Sequence, residues 1–380
     1  MIKRPKIGLV KINAEPGEKR DFLPTFVEML VNVGYQVFLE QGYGEGMGFN
    51  ESDYLALALD VRFVPREVAF QQDYVLVLRY PGDEVVRRMR PGVCLISMLH
   101  YPTRPNRVAL MREHQVEGVS LDSLKDDTGR RLVENLQSVA WNGLEVAMEV
   151  LKKTYPSPGF ESPLRAPLSV LIMGSGGVGA HAVQAAIRYG SPEYHQTMAS
   201  RGVKGVKVTV VDFDLTPNET LMKELLRTTD LLIDATQRPD ASSVIIPNDW
   251  VGLMPEHAVL LDLSVDPYDF NVSPPIQKGI EGIPQGNLDQ YVFSPDDPAY
   301  DRIPPDVDNE NRRYAISCYS WPGIHPKECM DVYGKQLRPI MRTIFESGGV
   351  HNVRLPGKYF QRAIHRAMLS TWVESQKSLM

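Results

Sequence analysis

Residues Leu171–Gly190 read LIMGSGGVGAHAVQAAIRYG. Within them Gly174, Ser175, Gly176, Gly177, Val178 and Gly179 fit G-x-G-x-x-G directly after an apolar run. Alone, such a match is weak. It gains meaning from a strand before it, a helix after it and an acidic residue ending the next strand. All three are present. LSVLIM supplies the strand, Val178–Tyr189 the helix, and VKVTVVDFD a second strand ending at Asp212. In that setting Gly174 permits the tight turn, Gly176 lets a pyrophosphate approach the backbone, and Gly179 lets the helix pack on the strand. The helix start offers free N–H groups and the positive end of the helix dipole to phosphates. Asp212 would accept hydrogen bonds from a ribose, and with Asp214 it would repel a 2′-phosphate, so the pattern predicts NAD rather than NADP. Asp212 lies 33 residues after Gly179, against the usual separation of about 20. The surplus, GSPEYHQTMASRGVKG, is expected to be a surface insertion, since a longer loop adds little closure entropy.

Outward from this unit the same alternation continues. DLLIDAT and HAVLLDLSVD read as further strands, and Asn218–Arg227 as a helix. On the N-terminal side, KIGLV, YQVFLEQG, DYVLVLRYPG, PGVCLISMLH and EGVSLDS read as strands. LPTFVEMLVNVG carries helical spacing with Gly34 as its stop, and Asn50 is placed to cap a helix. Strands alternating with helices predict parallel sheets. A Pro-free helical stretch, 131–153, leads to the linker-like TYPSPGFESPLRAP. The text from 274 to 312 is polar, rich in Pro and Asp, and expected to be irregular. Helical text follows at 327–347 and from about 358. The expectation is an α/β protein of two Rossmann-like parallel-sheet domains with a cleft between them.

The 380 residues are too many for one ordinary core. A formal charge of −6 without a Lys/Arg run predicts no nucleic-acid partner. Cys94, Cys318 and Cys329 form no C-x-x-C pair, so neither a disulfide framework nor a zinc ribbon is expected. His325, Glu328 and Cys329 have spacing that helices produce by chance, and no metal is expected. The first residues run straight into a strand pattern, and no apolar run reaches 18 residues. A cytoplasmic protein with no membrane partner is therefore expected.

Parallel-sheet proteins present chemistry at the carboxyl ends of strands. Arg79 ends one strand, His100 ends another, and Arg20 follows the first. Guanidinium groups bind carboxylates in bidentate fashion, and imidazole transfers protons near neutrality. Asp266 ends LLDLSVD at the mouth expected for the coenzyme. Thr236, Ser264 and Val265 stand at strand ends of the same unit and are further coenzyme-contacting candidates. Each also has a structural reading, as a turn, surface or packing residue.

These segments together resemble the alanine dehydrogenase/nicotinamide nucleotide transhydrogenase α-subunit superfamily, which includes lysine-forming saccharopine dehydrogenases. The similarity is carried by KIGLVKINAEPGEKR, the G-x-G-x-G-F turn at 44–49, DYVLVLRYP, ISMLHYP, VSLDSLKDDTGRRLVENLQSVAWNG, GSGGVG, VVDFD and LLDLSVD. The resemblance implies a substrate domain of residues 1–135 plus 318–380 and an NAD-binding domain of 136–317. It implies that Arg20 and Arg79 bind substrate, with Arg79 where the family has lysine. His100 would be the acid/base, Asp266 a second catalytic or orienting carboxylate, and Ser138 a coenzyme neighbour. The segment 318–321 would border the nicotinamide. It further implies NAD-dependent chemistry on a C–N bond of an amino acid or 2-oxo acid, in a homo-oligomer. Three departures stand out: Arg79 for lysine, Pro267-Tyr268-Asp269 for Gln-Gly-Gly, and Ser320-Trp321-Pro322-Gly323 for Asn-Met-Pro-Gly. They leave open a larger amine of the saccharopine or opine type, an NAD-binding sensor without catalysis, or a transhydrogenase-like subunit.

Overall fold

The structure is a computed structural model and describes residues 4–11, 15–58 and 60–377. Among these, the strands build two six-stranded sheets, one in each of two units. The first unit is Met1–Asn135 with His325–Met380, and the second is Leu136–Ile324.

In the first unit the strands are β1 (Lys6–Leu9), β2 (Gln36–Glu40), β3 (Val61–Val64), β4 (Tyr74–Arg79), β5 (Cys94–Met98) and β6 (Glu117–Ser120). Their order is β3-β2-β1-β4-β5-β6, and every pairing is parallel. The central strands are apolar runs buried on both faces, because helices cover both sides of a parallel sheet. β3, VRFV, is the strand the sequence pattern does not announce. It is a short edge strand with Arg62 exposed. After β1 the chain builds toward β3, then crosses back to β4. The order therefore reverses at β1/β4, and crevices at the carboxyl ends of strands open at such points. Helix Pro24–Val33 starts with Pro at its first turn and stops at Gly34, as its sequence predicts. Asn50 caps the helix Glu51–Leu55 through the Asp53 N–H.

The second unit contains β7 (Leu168–Met173), β8 (Val206–Val211), β9 (Leu231–Asp234), β10 (Val259–Asp262), β11 (Val292–Phe293) and β12 (Tyr314–Ser317). Their order is β11-β12-β10-β9-β7-β8, parallel except for β11. The surplus before β8 is not a plain loop. Ser191 caps a helix, Pro192–Ser200, by accepting the Tyr194 N–H. The long helix begins at Leu136 rather than 131, because Leu132 N–H is bonded to Leu124 O in a bridged loop. Residues 274–312 are mostly irregular, interrupted by β11 and the 3-10 turn Pro298–Arg302.

The chain returns to the first unit at His325, not at 318. The seven residues between belong to the second unit for a packing reason. Trp321, 1% exposed, donates its indole N–H to Asp262 O at 2.8 Å, and its own carbonyl accepts from Asn142 at 3.1 Å. Cys318 is buried in the same core. Among the described residues no helix is long and apolar enough to cross a membrane.

Candidate functional site

In the first unit, four neighbouring strands deliver polar groups at their carboxyl ends: Arg20 beyond β1, Arg79 on β4, His100 beyond β5 and Asp122 beyond β6. The Arg20 loop is fixed from the turn the sequence marks at 44–49. Asp21 accepts the Gly44 N–H at 2.8 Å, Phe22 N–H is bonded to the Tyr43 hydroxyl, and the Tyr54 hydroxyl donates to Phe22 O. Arg20 is buried and forks onto Glu18, with Nε donating to Oε1 at 2.8 Å and Nη2 to Oε2 at 2.5 Å. Arg79 Nη2 donates to Glu15 at 3.3 Å, and its Nη1 lies 4.0 Å from Glu18 Oε2. The two expected arginines therefore share an internal carboxylate. Burial pushes the Glu18 carboxyl up, but Arg20, with Arg79 beyond it, outweighs this and holds it below the usual range.

His100 sits in the left-handed region at φ 51. Its N–H is bonded to Asp122 Oδ1 at 3.1 Å, and its Nδ1 lies 3.5 Å from Asp122 Oδ2. Asp122 is itself held by the Ser120 hydroxyl at 2.8 Å. The imidazole side chain remains 49% exposed. Partial burial lowers its proton affinity, Asp122 opposes that, and Arg107, Arg104 and Arg131 reinforce it, so the net direction is down. A mostly neutral, accessible and oriented imidazole can accept or donate a proton near neutrality.

In the second unit the glycine loop follows β7 as the sequence predicts. Gly174 has φ +94, and a Cβ there would lie 2.7 Å from Ala235 O. A Cβ on Gly179 would lie 2.0 Å from Gly174 O, so only glycine lets the helix Gly177–Ala186 pack this close. A Cβ on Gly176 would meet nothing within 4 Å. That glycine serves no packing need and leaves an open approach. The first helical bond runs from Ala180 N–H to Gly176 O, so the N–H groups of 177–179 have no acceptor within the helix. Ser175 and Val178 complete the loop. The Ser175 hydroxyl donates to Asp212, which ends β8. That bond, with the Phe213 N–H, holds the Asp212 carboxyl low and ionised. Ser138 lies in the first turn of helix Leu136–Thr154. These features fit a dinucleotide: an open glycine face, a helix start and a carboxylate at the end of the second strand.

Next along the sheet edge, Met173, Asp234, Asp262 and Ser317 stand in register. Thr236 donates its N–H and hydroxyl to Asp234. The Ser264 hydroxyl lies 3.0 Å from Asp262 and 3.2 Å from Asp234, and Val265 N–H is bonded to Asp262 Oδ1 at 2.8 Å. Lys278 Nζ reaches Asp262 Oδ2 at 2.7 Å, and both side chains are 1% exposed. Burial and the neighbouring Asp262 push the Asp234 carboxyl up. Burial acts on Asp262 in the same sense, but Lys278 and the hydrogen bonds around it overcome this and hold it down. Asp266 is not a free carboxylate: Arg238 Nη2 binds its Oδ2 at 2.7 Å.

The structure thus groups Arg20, Arg79 and His100 in one unit, and Ser138, Gly174–Gly179, Asp212, Thr236, Ser264, Val265 and Asp266 in the other. Sequence reading missed Glu18, Asp122, Asp234, Asp262, Arg238 and Lys278. The aspartates were within reach, since each ends or follows a recognised strand. Lys278 carries no signal in its Pro-rich text.

This architecture, two parallel-sheet units of which one bears a glycine loop after its first strand, is of the two-domain, Rossmann-like α/β type. The chain belongs to the alanine dehydrogenase/nicotinamide nucleotide transhydrogenase superfamily, a family of oxidoreductases: the N-terminal domain of "Alanine dehydrogenase/PNT" matches residues 12–141 and the C-terminal domain matches 146–268. It is 24% identical over 268 residues to an alanine dehydrogenase of Geobacillus stearothermophilus, covering 69% of this chain and 72% of that one. It is 21% identical over 296 residues to an NAD(P) transhydrogenase alpha-subunit chain of Rhodospirillum rubrum, covering 69% and 77%. The solved structure of an L-alanine dehydrogenase superposes with a TM-score of 0.71 at 17% identity, over 96% of this chain and 94% of that one.

Proposed function

We propose that the protein is an NAD-dependent amino-acid dehydrogenase acting on a C–N bond, interconverting an amino acid and a 2-oxo acid with release or uptake of an amine or ammonia. The observation that carries this reading is the row of Arg20, Arg79, His100 and Asp122 on neighbouring strand ends of the first unit. The coenzyme fits the second unit, where Gly174–Gly179 would take the pyrophosphate and Asp212 the adenine-side ribose. When bound, it supplies the hydride acceptor or donor.

The remaining chemistry falls to side chains of this protein. Asp122 orients the imidazole through Nδ1, which leaves Nε2 of His100 to hold or deliver the proton that moves on the substrate nitrogen or on water. Arg20, aimed by its fork on Glu18, would offer an N–H not used by Glu18 to a substrate carboxylate. Arg79, a guanidinium where the family has an amine, would bind and orient rather than act as a neutral amine. A larger amine of the saccharopine or opine type is the second reading. Glu15, with its side chain 39% exposed beside Arg79, favours it by offering a carboxylate to a cationic amine.

The test is NADH oxidation near neutral pH with 2-oxo acids, each paired with ammonia, lysine or ornithine, with His100→Ala run in parallel. Turnover with one pair, lost in the variant, is the expected result. Binding of NADH without turnover on any pair would favour a sensor instead.

A further inference from the structure

Val265 is a β-branched residue at φ +61, a conformation that such side chains rarely adopt and that persists only where surrounding contacts enforce it. The polar contacts that enforce it run through Asp262. Asp262 Oδ1 accepts both the Val265 N–H and, at 3.0 Å, the Ser264 hydroxyl. Asp262 Oδ2 is held by Lys278 at 2.7 Å and by the Ser317 hydroxyl at 3.0 Å. Lys278 also donates to the carbonyl of Asp266 at 3.1 Å. One ammonium therefore grips both ends of the strained turn. Arg238 reinforces the grip, binding the Asp266 carboxylate and the carbonyl of Gln277 through the same Nη2.

Stability alone does not explain this arrangement. A buried ion pair is often no more stabilising than an apolar pair of the same volume. What it adds is a fixed position for the turn. We propose that Lys278, acting through Asp262, is a positioning residue that holds the Ser264–Asp266 turn in its left-handed form for the nicotinamide half of a bound coenzyme. The inference rests on the dinucleotide reading above.

The two halves of the coenzyme can be read apart. ADP-ribose carries the adenosine and pyrophosphate that the glycine loop and Asp212 would hold. NADH adds the nicotinamide. Affinities for both would be measured calorimetrically on wild type, Lys278→Met, Asp262→Ala/Lys278→Met and Asp262→Asn/Lys278→Met, with Tm recorded for each. The double variants leave no unpaired buried charge, so they remain informative where Lys278→Met fails to fold. They differ in whether an acceptor for Val265 N–H survives. The expected result is NADH affinity about tenfold weaker in Lys278→Met and in the alanine double variant, with ADP-ribose affinity within about twofold of wild type, a discrimination of roughly 1.4 kcal/mol. The asparagine double variant keeps an acceptor for Val265 N–H but loses the Lys278 grip on Asp266, so its ratio should fall between those of wild type and the alanine double variant; a wild-type ratio there would show that Lys278 does not position the turn. An unchanged ratio in all variants, or equal loss of both ligands, would overturn the proposal and leave Lys278 a fold residue. Wild-type protein that binds neither ligand would defeat the dinucleotide reading itself, and this inference with it.

Discussion

Gly176→Ala separates a glycine kept for a ligand from one kept for the fold. Gly176 has φ −64 and ψ −168, a conformation open to any residue, and an added methyl meets no atom within 4 Å. The substitution should not harm the fold. By narrowing the unfolded ensemble it should add about 0.4–1 kcal/mol of stability, or about 1–4 °C in Tm. The same methyl would stand where a pyrophosphate must approach the backbone. Loss of one or two charge-assisted hydrogen bonds, each about 1.5–3 kcal/mol, weakens NADH by about 100-fold. Gly179→Ala is the control. Its Cβ would sit 2.0 Å from a backbone carbonyl that cannot swing away, so Tm should fall together with binding. The assay is NADH titration by fluorescence alongside thermal unfolding. Gly176→Ala protein that binds NADH within about twofold of wild type would refute the assignment of this loop to phosphate, since no packing argument shelters it.

Three further outcomes follow from the geometry. Asp122 raises the proton affinity of His100 against the effect of burial, so Asp122→Asn should move the acidic limb of log kcat/KM to lower pH; an unmoved limb would detach Asp122 from His100. Burial pushes the Asp21 carboxyl up to about 7. The folded state then keeps a proton that the unfolded chain has released, and stability falls as pH rises from the ordinary carboxylate range toward 7. Asp21→Asn still accepts from Gly44 and should be more stable than wild type by on the order of 2 kcal/mol at pH 8, with the difference vanishing near pH 4 in denaturant titrations. Asp212→Ala should weaken NADH while narrowing its preference over NADPH by about tenfold or more, because the charge that repels a 2′-phosphate is gone; an unchanged ratio of the two affinities would show that Asp212 does not meet the ribose.

Much of this architecture is legible because parallel sheets write themselves as apolar runs. β4 and β5, buried on both faces, are found at once. β3 is missed because a short edge strand with a polar face lacks that signature. The helix Pro192–Ser200 reads as loop because its apolar content is low and only Met198 is buried. The glycine loop is legible because Gly174 and Gly179 answer local steric demands and Gly176 stands open between them. Lys278 is not, for its meaning lies in a pairing with Asp262 that sequence spacing does not encode. The resemblance expects the segment of Trp321 to border the nicotinamide; what the sequence does not tell is that its indole packs inside the second unit and donates to the carbonyl of Asp262.

That placement bears on how this chain diverges from its relatives. In each unit a buried cation–carboxylate pair, Arg20–Glu18 or Lys278–Asp262, fixes a loop at the carboxyl edge of the sheet. In the first unit His100 is lowered by burial and nearby guanidinium groups, and beside the second pair Asp234 is raised by burial and the like charge of Asp262. Neither pair tolerates loss of one partner without stranding a buried charge, so change is cheaper outside them. Trp321 bonds the carbonyl of Asp262 and so bears on the Ser264–Asp266 turn. Arg79 and Glu15 are partly exposed and lie outside the buried pair. Substrate preference can move there by changing which charges meet the incoming molecule, with Arg20 still aimed by Glu18 and His100 by Asp122. With Arg20 held by Glu18 and His100 by Asp122, the partly exposed residue 79 is the position where a change of charge costs the buried pairs least.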